Sequence, residues 1–355
     1  MVQNLLVKLL LAPFSLLYGI GISLRNFFYR KGLLKGMVFN LPVISVGNLS
    51  IGGTGKTPHI EYLIRLLKDY IKIATLSRGY QRKTKGYLEV LPNFTAEQSG
   101  DEPLQFARKF RDVLVTVGED RSYAIPKIVQ NHPDTQLILL DDAFQHLSVK
   151  PGLNIMLTDF NRLFTRDYLL PSGRLREWRS SYERADVIIV SKCPPDLSVN
   201  KKEELIAEIK PLPHQKIFFT YYDYGHPYYM FNPAQVIPLQ ADWDVLVICA
   251  IAGTEYLLDY VNTKVDSVKV LEFEDHHYFT KYDLGKLKQA FDNLDSKKKV
   301  ILTTEKDAMR LELHKDYLLA EKLPILNLPV EVRFLFDEGP IFNQLVQNYL
   351  LGFRS

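Results

Sequence analysis

The residues best suited to chemistry are a run of small ones that ends in a cation. Gly52-Gly-Thr-Gly-Lys-Thr57 follows the apolar Val43-Ile-Ser-Val46 and precedes Pro58. A strand that enters a glycine-rich turn and leaves as a helix aims successive backbone N–H groups, and the helix N-terminus, at an anion. Pro58 suits a first helical turn, where its missing N–H costs no hydrogen bond. Gly52, Gly53, Thr54 and Gly55 would wrap the phosphates of a nucleotide, Lys56 would reach the β- and γ-phosphates, and Thr57 would hold Mg²⁺. Ser50 stands where the strict pattern has its first glycine, so Gly52 and Gly53 supply the backbone freedom instead. A plain surface turn would share the glycines, but not the strand, the Lys-Thr pair and the helix together.

Carboxylates form the second constellation. Leu137-Ile-Leu-Leu-Asp-Asp142 reads as a strand ending in two acids, the usual Mg²⁺-side partner of a phosphate loop. Alternation along a strand sends Asp141 and Asp142 to opposite faces, so one of them is expected to face the metal. A pair that merely ends a strand is the competing reading, weakened by the neighbouring Lys56-Thr57. Asp101-Glu-Pro103 is open to two readings: a helix start, which favours acids in its first turn with Pro just inside, or a reactive carboxylate. Between Asn161 and Arg184 lie Arg162, Arg166, Arg174, Arg176, Arg179 and Arg184, with Trp178. Guanidinium forks suit phosphates and sugars, and a solvated basic surface is the competing reading.

Elements able to position these groups recur along the chain. After residue 40, Val43–Val46, Ile71–Leu76, Val113–Val117, Leu137–Leu140, Ile155–Thr158 and Val187–Val190 read as strands, with helices such as Pro58–Asp69 and Pro103–Arg111 between them. Continuous apolar strands alternating with helices mean a parallel sheet covered on both faces. Val245–Ala250, Val268–Phe273, Val300–Thr303 and Ile325–Leu328 form a second series. The expected organisation is thus an N-terminal segment over 1–36, a phosphate-loop core over 37–220, a linker rich in Tyr, Pro and Gly over 221–242, and a smaller α/β domain over 243–355.

The 355 residues carry a formal charge of only +3, which gives no whole-molecule attraction to polyanions, and nucleic acid is not an expected partner. The charge is unevenly placed: no acid precedes Glu61, while Lys8, Arg25, Arg30, Lys31 and Lys35 do. Leu5, Leu6, Leu9, Leu10, Leu11, Phe14, Leu16, Leu17, Ile20 and Ile22 make this start apolar as well. A spanning helix is poorly matched because Lys8, Pro13, Ser15, Gly19 and Gly21 interrupt it. A signal peptide lacks its cleavage pattern. A helix lying in a membrane interface fits best, and a buried core helix is the rival. Two cysteines without motif spacing imply neither a disulfide framework nor a zinc site, and point to the cytoplasm.

Taken in order, these motifs resemble one family, the tetraacyldisaccharide 4′-kinases of lipid A biosynthesis. The resemblance runs through Val46–Pro58, Ser77-Arg-Gly-Tyr80, Gly100-Asp-Glu-Pro103, Val117-Gly-Glu-Asp-Arg121, Asp141-Asp-Ala-Phe-Gln-His146, Leu170-Pro-Ser-Gly-Arg-Leu-Arg-Glu177, Ser191-Lys-Cys-Pro194, Asp275-His276 and Thr304-Glu-Lys-Asp307. It implies a P-loop NTPase-like α/β kinase with a smaller second α/β domain and an N-terminal membrane-interface helix. The implied enzyme uses ATP and Mg²⁺ to phosphorylate the 4′-hydroxyl of an acylated glucosamine disaccharide 1-phosphate, at the cytoplasmic face of the inner membrane and without an obligate protein partner.

Residue by residue, the resemblance implies Asp101 as base with His276 beside it, and Lys56 and Asp141 in catalysis. Asn48, Arg78, Arg121, Ser172 and Arg176 would bind the lipid head, and Thr57, Asp142 and Glu102 would surround Mg²⁺. Ser191-Lys192 and Thr304–Asp307 follow strands and are both candidates to hold the adenine, the latter also to close a domain interface. Two other classes stay open on the phosphate loop alone. A nucleotide-hydrolysing switch or metal-delivery chaperone would phosphorylate no lipid, and a kinase or ligase of a small soluble acid would not need the apolar start.

Overall fold

The computed structural model describes residues 5–353, so the first four residues of the expected N-terminal segment and the last two of the chain lie outside it. The strands are, in chain order, β1 (Val43–Asn48), β2 (Ile73–Ser77), β3 (Leu88–Glu89), β4 (Leu114–Val117), β5 (Leu137–Asp141), β6 (Leu153–Asp159), β7 (Val187–Ser191) and β8 (Lys216–Tyr224). They continue with β9 (Tyr228–Tyr229), β10 (Asn232–Val236), β11 (Asp244–Cys249), β12 (Ser267–Glu272), β13 (Lys299–Thr304), β14 (Ile325–Leu328) and β15 (Val330–Phe334).

Nine of them form one sheet, in the order β15-β8-β7-β6-β1-β5-β2-β4-β3. It is parallel from β8 to β4, with antiparallel strands at both edges. Every residue of β1, β2, β5 and β7 is buried, which is why these segments read as unbroken apolar runs rather than alternating ones. Six strands form the second sheet, β10-β9-β14-β13-β11-β12. The parallel order brings the carboxyl ends of β1, β2, β5, β6 and β7 to one edge, where an open α/β sheet places its ligands.

The domain boundaries differ from the expected ones. The linker expected over 221–242 begins inside β8 and carries β9 and β10 of the second sheet. The chain after Leu328 leaves the second sheet: β15 pairs with β8, from Val330 opposite Tyr224 to Phe334 opposite Thr220. The C-terminal helix (Gly339–Gly352) then buries Phe342 and Val346 in the core of the first sheet. Aromatic packing explains the return. Phe342 meets Phe218 edge-on at 5.4 Å and stacks on Phe334 at 4.6 Å, and a side chain so buried contributes about 1.5–3 kcal/mol.

The N-terminal helix (Leu5–Arg30) lies along the Arg-rich segment. Ser15 Oγ lies within hydrogen-bond distance of Leu169 O at 3.1 Å and of Ser172 Oγ at 2.8 Å. Trp178 Nε1 donates to Ser23 Oγ at 2.9 Å, and Arg25 pairs with the fully buried Glu177. A Cβ on Gly19 would sit 2.3 Å from the Trp178 ring, so the close approach requires glycine there. The other side is bare: Leu10, Phe14, Leu16, Leu17, Ile20, Leu24 and Phe27 are all exposed. The stretch Leu10–Arg30 is long and apolar enough to cross a membrane.

Candidate active site

The phosphate loop links β1 to the helix Lys56–Leu67, with Gly52 at φ +106° and Gly55 at φ +84°, conformations that a side chain would strain. Its supports are buried. Asn48 Nδ2 donates to Thr54 Oγ1 at 2.8 Å, and Ser191 Oγ donates to Thr54 O at 2.8 Å. His59, one turn into the helix, has Nδ1 2.7 Å from Gly55 O and Nε2 3.1 Å from Thr220 Oγ1.

Burial drives His59 down to about 4, from an ordinary value near 6.5. A depressed folded pKa means that the unfolded chain takes up a proton first as pH falls, so stability is complete above about pH 6.5 and is lost toward pH 4. Between pH 7 and pH 5 this one group should remove about 2 kcal/mol. The check is the urea midpoint of wild type and His59→Gln at both pH values. An equal pH-induced drop in the two proteins would show that His59 is not responsible.

The acids at the end of β5 do not simply alternate. Asp142 adopts φ +49°, and its N–H donates to Val46 O at 3.0 Å. Its carboxylate sits 3.5 Å from Lys56 Nζ and accepts from Arg176 Nη1 at 3.0 Å. Burial alone would raise its pKa, but these two cations hold it below the usual carboxylate range. Asp141 is pushed up to about 7 by burial and by the charges of Asp142 and Glu102. Its Oδ2 accepts from Ser77 Oγ at 3.3 Å, and its Oδ1 has no partner among the described residues.

Asp101 opens the helix Asp101–Lys109 directly after Gly100, whose φ is +91°. Only 3% of it is exposed. Its Oδ1 accepts from the Glu102 N–H at 3.1 Å, and its Oδ2 lies 3.1 Å from His276 Nδ1 and 3.7 Å from Arg310 Nη1. His276 is held at φ +60° beyond β12, with Tyr80 packed on its ring at 4.7 Å. Burial works against ionisation of Asp101, yet Lys306 and the hydrogen bonds it accepts hold it well below the usual carboxylate range. The pair unites the two sheets, because Asp101 follows β3 whereas His276 follows β12.

Several expected contacts have other partners. The Ser172 hydroxyl is buried against the N-terminal helix, bonded to Ser15 and donating to Lys8 O, and does not face the cleft. Arg121 is turned inward, donating to Gly118 O, Glu119 O and Asp141 O, and its burial lowers it to about 10. The side-chain nitrogen of Asn48 braces the loop while its Oδ1 is unpaired among the described residues. Glu102 is taken by Lys306 at 2.9 Å. Arg78 is exposed at the end of β2.

Of the two adenine candidates, Lys192 lines a cavity of about 250 Å³ with Gly52, Gly53, Asp159, Ala252 and Tyr256. Thr304–Asp307 lies where the two sheets meet, with Lys306 2.9 Å from Glu102 and Glu305 2.6 Å from Lys109. Tyr80 and Lys306 were not singled out as contacts of His276 by sequence, although both stand in motifs that were.

A parallel sheet with a strand, glycine-rich loop and Lys-Thr helix, joined to a second sheet through a carboxylate–histidine pair, is the arrangement of a P-loop phosphotransferase. The chain belongs to the LpxK family, tetraacyldisaccharide-1-P 4′-kinase, whose model matches residues 7–350. The tetraacyldisaccharide 4′-kinase of Phocaeicola vulgatus is 42% identical over 347 residues, covering 96% of this chain and 94% of its own. That of Flavobacterium johnsoniae is 44% identical over 333 residues, 94% of each chain. Among solved structures, LpxK from Aquifex aeolicus in complex with ATP superposes with a TM-score of 0.71 at 27% identity, covering 97% of this chain and 99% of that one.

Proposed function

We propose that this chain transfers the γ-phosphate of ATP to the 4′-hydroxyl of a tetraacylated glucosamine disaccharide 1-phosphate, working from the cytoplasmic face of the inner membrane. The observation that carries this reading is that the cleft between the two sheets is bordered by the phosphate loop, where Lys56 lies 3.5 Å from Asp142, and by the buried Asp101–His276 pair, 3.1 Å apart. One side of that cleft holds phosphates and the other holds an acceptor hydroxyl. A switch or a metal-delivery protein has no need of the second half.

In this reading Lys56 grips the β- and γ-phosphates. Asp101 orients the hydroxyl and receives its proton, with His276 holding the carboxylate. Mg²⁺ entering with ATP would supply neutralisation of the phosphate charge. Thr57 and the unpartnered Oδ1 of Asp141 fit it better than the expected Asp142 and Glu102, whose charges are already met by Lys56, Arg176 and Lys306. The exposed apolar side of the N-terminal helix, with the exposed Arg30, Lys31 and Lys35 at its end, suits an anionic lipid surface. It places the cleft beside a substrate that cannot leave the bilayer cheaply, at about 0.8 kcal/mol per buried CH₂.

The test is transfer of labelled γ-phosphate from ATP to a tetraacyldisaccharide 1-phosphate in mixed micelles. Nucleotide hydrolysis without labelled lipid would favour a switch. In the same assay Arg176→Ala should raise KM for lipid more than KM for ATP. A raised KM for ATP alone would move Arg176 to the nucleotide side.

A further inference from the structure

We propose that Lys306 is a positioning residue for the Asp101–His276 pair: its ammonium holds His276 from the Nε2 side, and so fixes the ring proton on Nδ1, toward Asp101. This rests on the reading of Asp101 as the group that meets the acceptor hydroxyl.

Lys306 Nζ lies 3.2 Å from His276 Nε2, 2.9 Å from Glu102 Oε1 and 3.7 Å from Asp275 Oδ1. An ammonium has three donors and no acceptor, so any bond it makes to the ring uses the Nε2 lone pair. The imidazole proton is then on Nδ1, which faces Asp101 Oδ2 at 3.1 Å. The opposite tautomer would set two donors against each other at Nε2 and leave Nδ1 and Asp101 as two acceptors.

The lysine is itself held. Thr304 Oγ1 accepts from the Asp307 N–H at 3.1 Å and starts the helix Glu305–Leu311. Asp307 Oδ2 accepts from the Ala250 N–H at 3.2 Å, and the His276 N–H donates to Ala250 O at 3.1 Å. Lys306 and His276 are therefore both referred to one residue at the end of β11. Glu102, carried by the other sheet, supplies the counter-charge.

Asp101, Glu102 and His276 also present one ligand atom each within 4.8 Å of one another, the pattern of a metal site. Here the cation among them belongs to the protein. The consequence for the reaction is a division of roles: His276 orients the carboxylate as a donor, and Asp101 is the proton acceptor.

The experiment reads the tautomer directly. Full-length protein labelled with ¹⁵N-histidine should show, for His276, a protonated Nδ1 and an unprotonated Nε2, with the signal assigned by its loss in His276→Gln. In Lys306→Met the proton should shift toward Nε2, and kcat should fall about 10- to 100-fold, as for other orienting partners of a functional histidine. KM for ATP should stay unchanged. Lys306→Arg keeps donors and should recover part of the rate.

ATP affinity by calorimetry reports whether the phosphate site is folded, and Lys306→Gln replaces the methionine variant if that affinity is lost. A wild-type signal protonated at Nε2 overturns the proposal. So does a variant in which the tautomer or kcat changes without the other. Because the tautomer is read without lipid, a wild-type protein that phosphorylates no disaccharide lipid would sink the functional reading while leaving this result intact.

Discussion

Asp101→Ala should lower kcat by about 10²–10⁴-fold, the span that a positioned base supplies. Both carboxylate oxygens are committed, Oδ1 to the Glu102 N–H and Oδ2 to His276 Nδ1, so the group has one orientation. It is also held well below the usual carboxylate range, which makes it a weak base. That strength suffices if phosphoryl transfer is loose, because the acceptor oxygen then carries little bond to phosphorus when its proton begins to leave. His276→Ala should approach the same loss, since without it the carboxylate is free to turn.

The two act as a unit if the double variant is little worse than either single one. Fully additive losses in a double-mutant cycle on kcat would separate them, and a normal kcat in His276→Ala would remove that residue from the chemistry. Removing the charge of Asp101 also leaves Arg310 and Lys306 facing one fewer acid. Asp101→Asn, which keeps the shape, guards against mistaking a local collapse for a chemical effect.

Lys56→Ala should reduce kcat by about 10²–10³-fold, the cost of losing one donor to developing charge in a closed site. The fold should survive. The partner that Lys56 leaves behind, Asp142, keeps Arg176 at 3.0 Å, so no buried carboxylate is stranded. Thermal unfolding and single-turnover phosphate transfer measured on the same preparation separate the two effects. Equal kcat/KM in variant and wild type would end the assignment of Lys56 to the phosphates.

Much of this protein is legible along the chain because it depends on neighbours in sequence. The phosphate loop is a local object, made by a strand, two glycines able to adopt positive φ and the first turn of a helix, and Val43–Pro58 encodes all three. The central strands are equally plain, since a strand buried on both faces must be apolar at every position. The N-terminal helix announces its exposed apolar side by composition. The acids Asp101 and Asp141 stand out at element ends, and the resemblance to a family of ordered motifs singled out His276 in addition.

Tertiary structure decided what pairs with what. Nothing local says that the chain after Leu328 returns to the first sheet, because β15 is chosen by the free edge of β8 and by the aromatic packing of Phe218, Phe334 and Phe342. Alternation along β5 could not foresee the positive φ of Asp142, which turns that side chain to Lys56 and Arg176 and leaves Asp141 Oδ1 without a partner. Ser172 and Arg121 stand in functional motifs, yet their polar groups satisfy the backbone and the N-terminal helix, since buried donors must find acceptors wherever the fold supplies them. The contact of Lys306 with His276 joins residues 30 apart, and that of His276 with Asp101 joins residues 175 apart. Such distances are closed only when the two sheets pack, because the position of a side chain in space is set by the packing of its element and not by its place in the sequence.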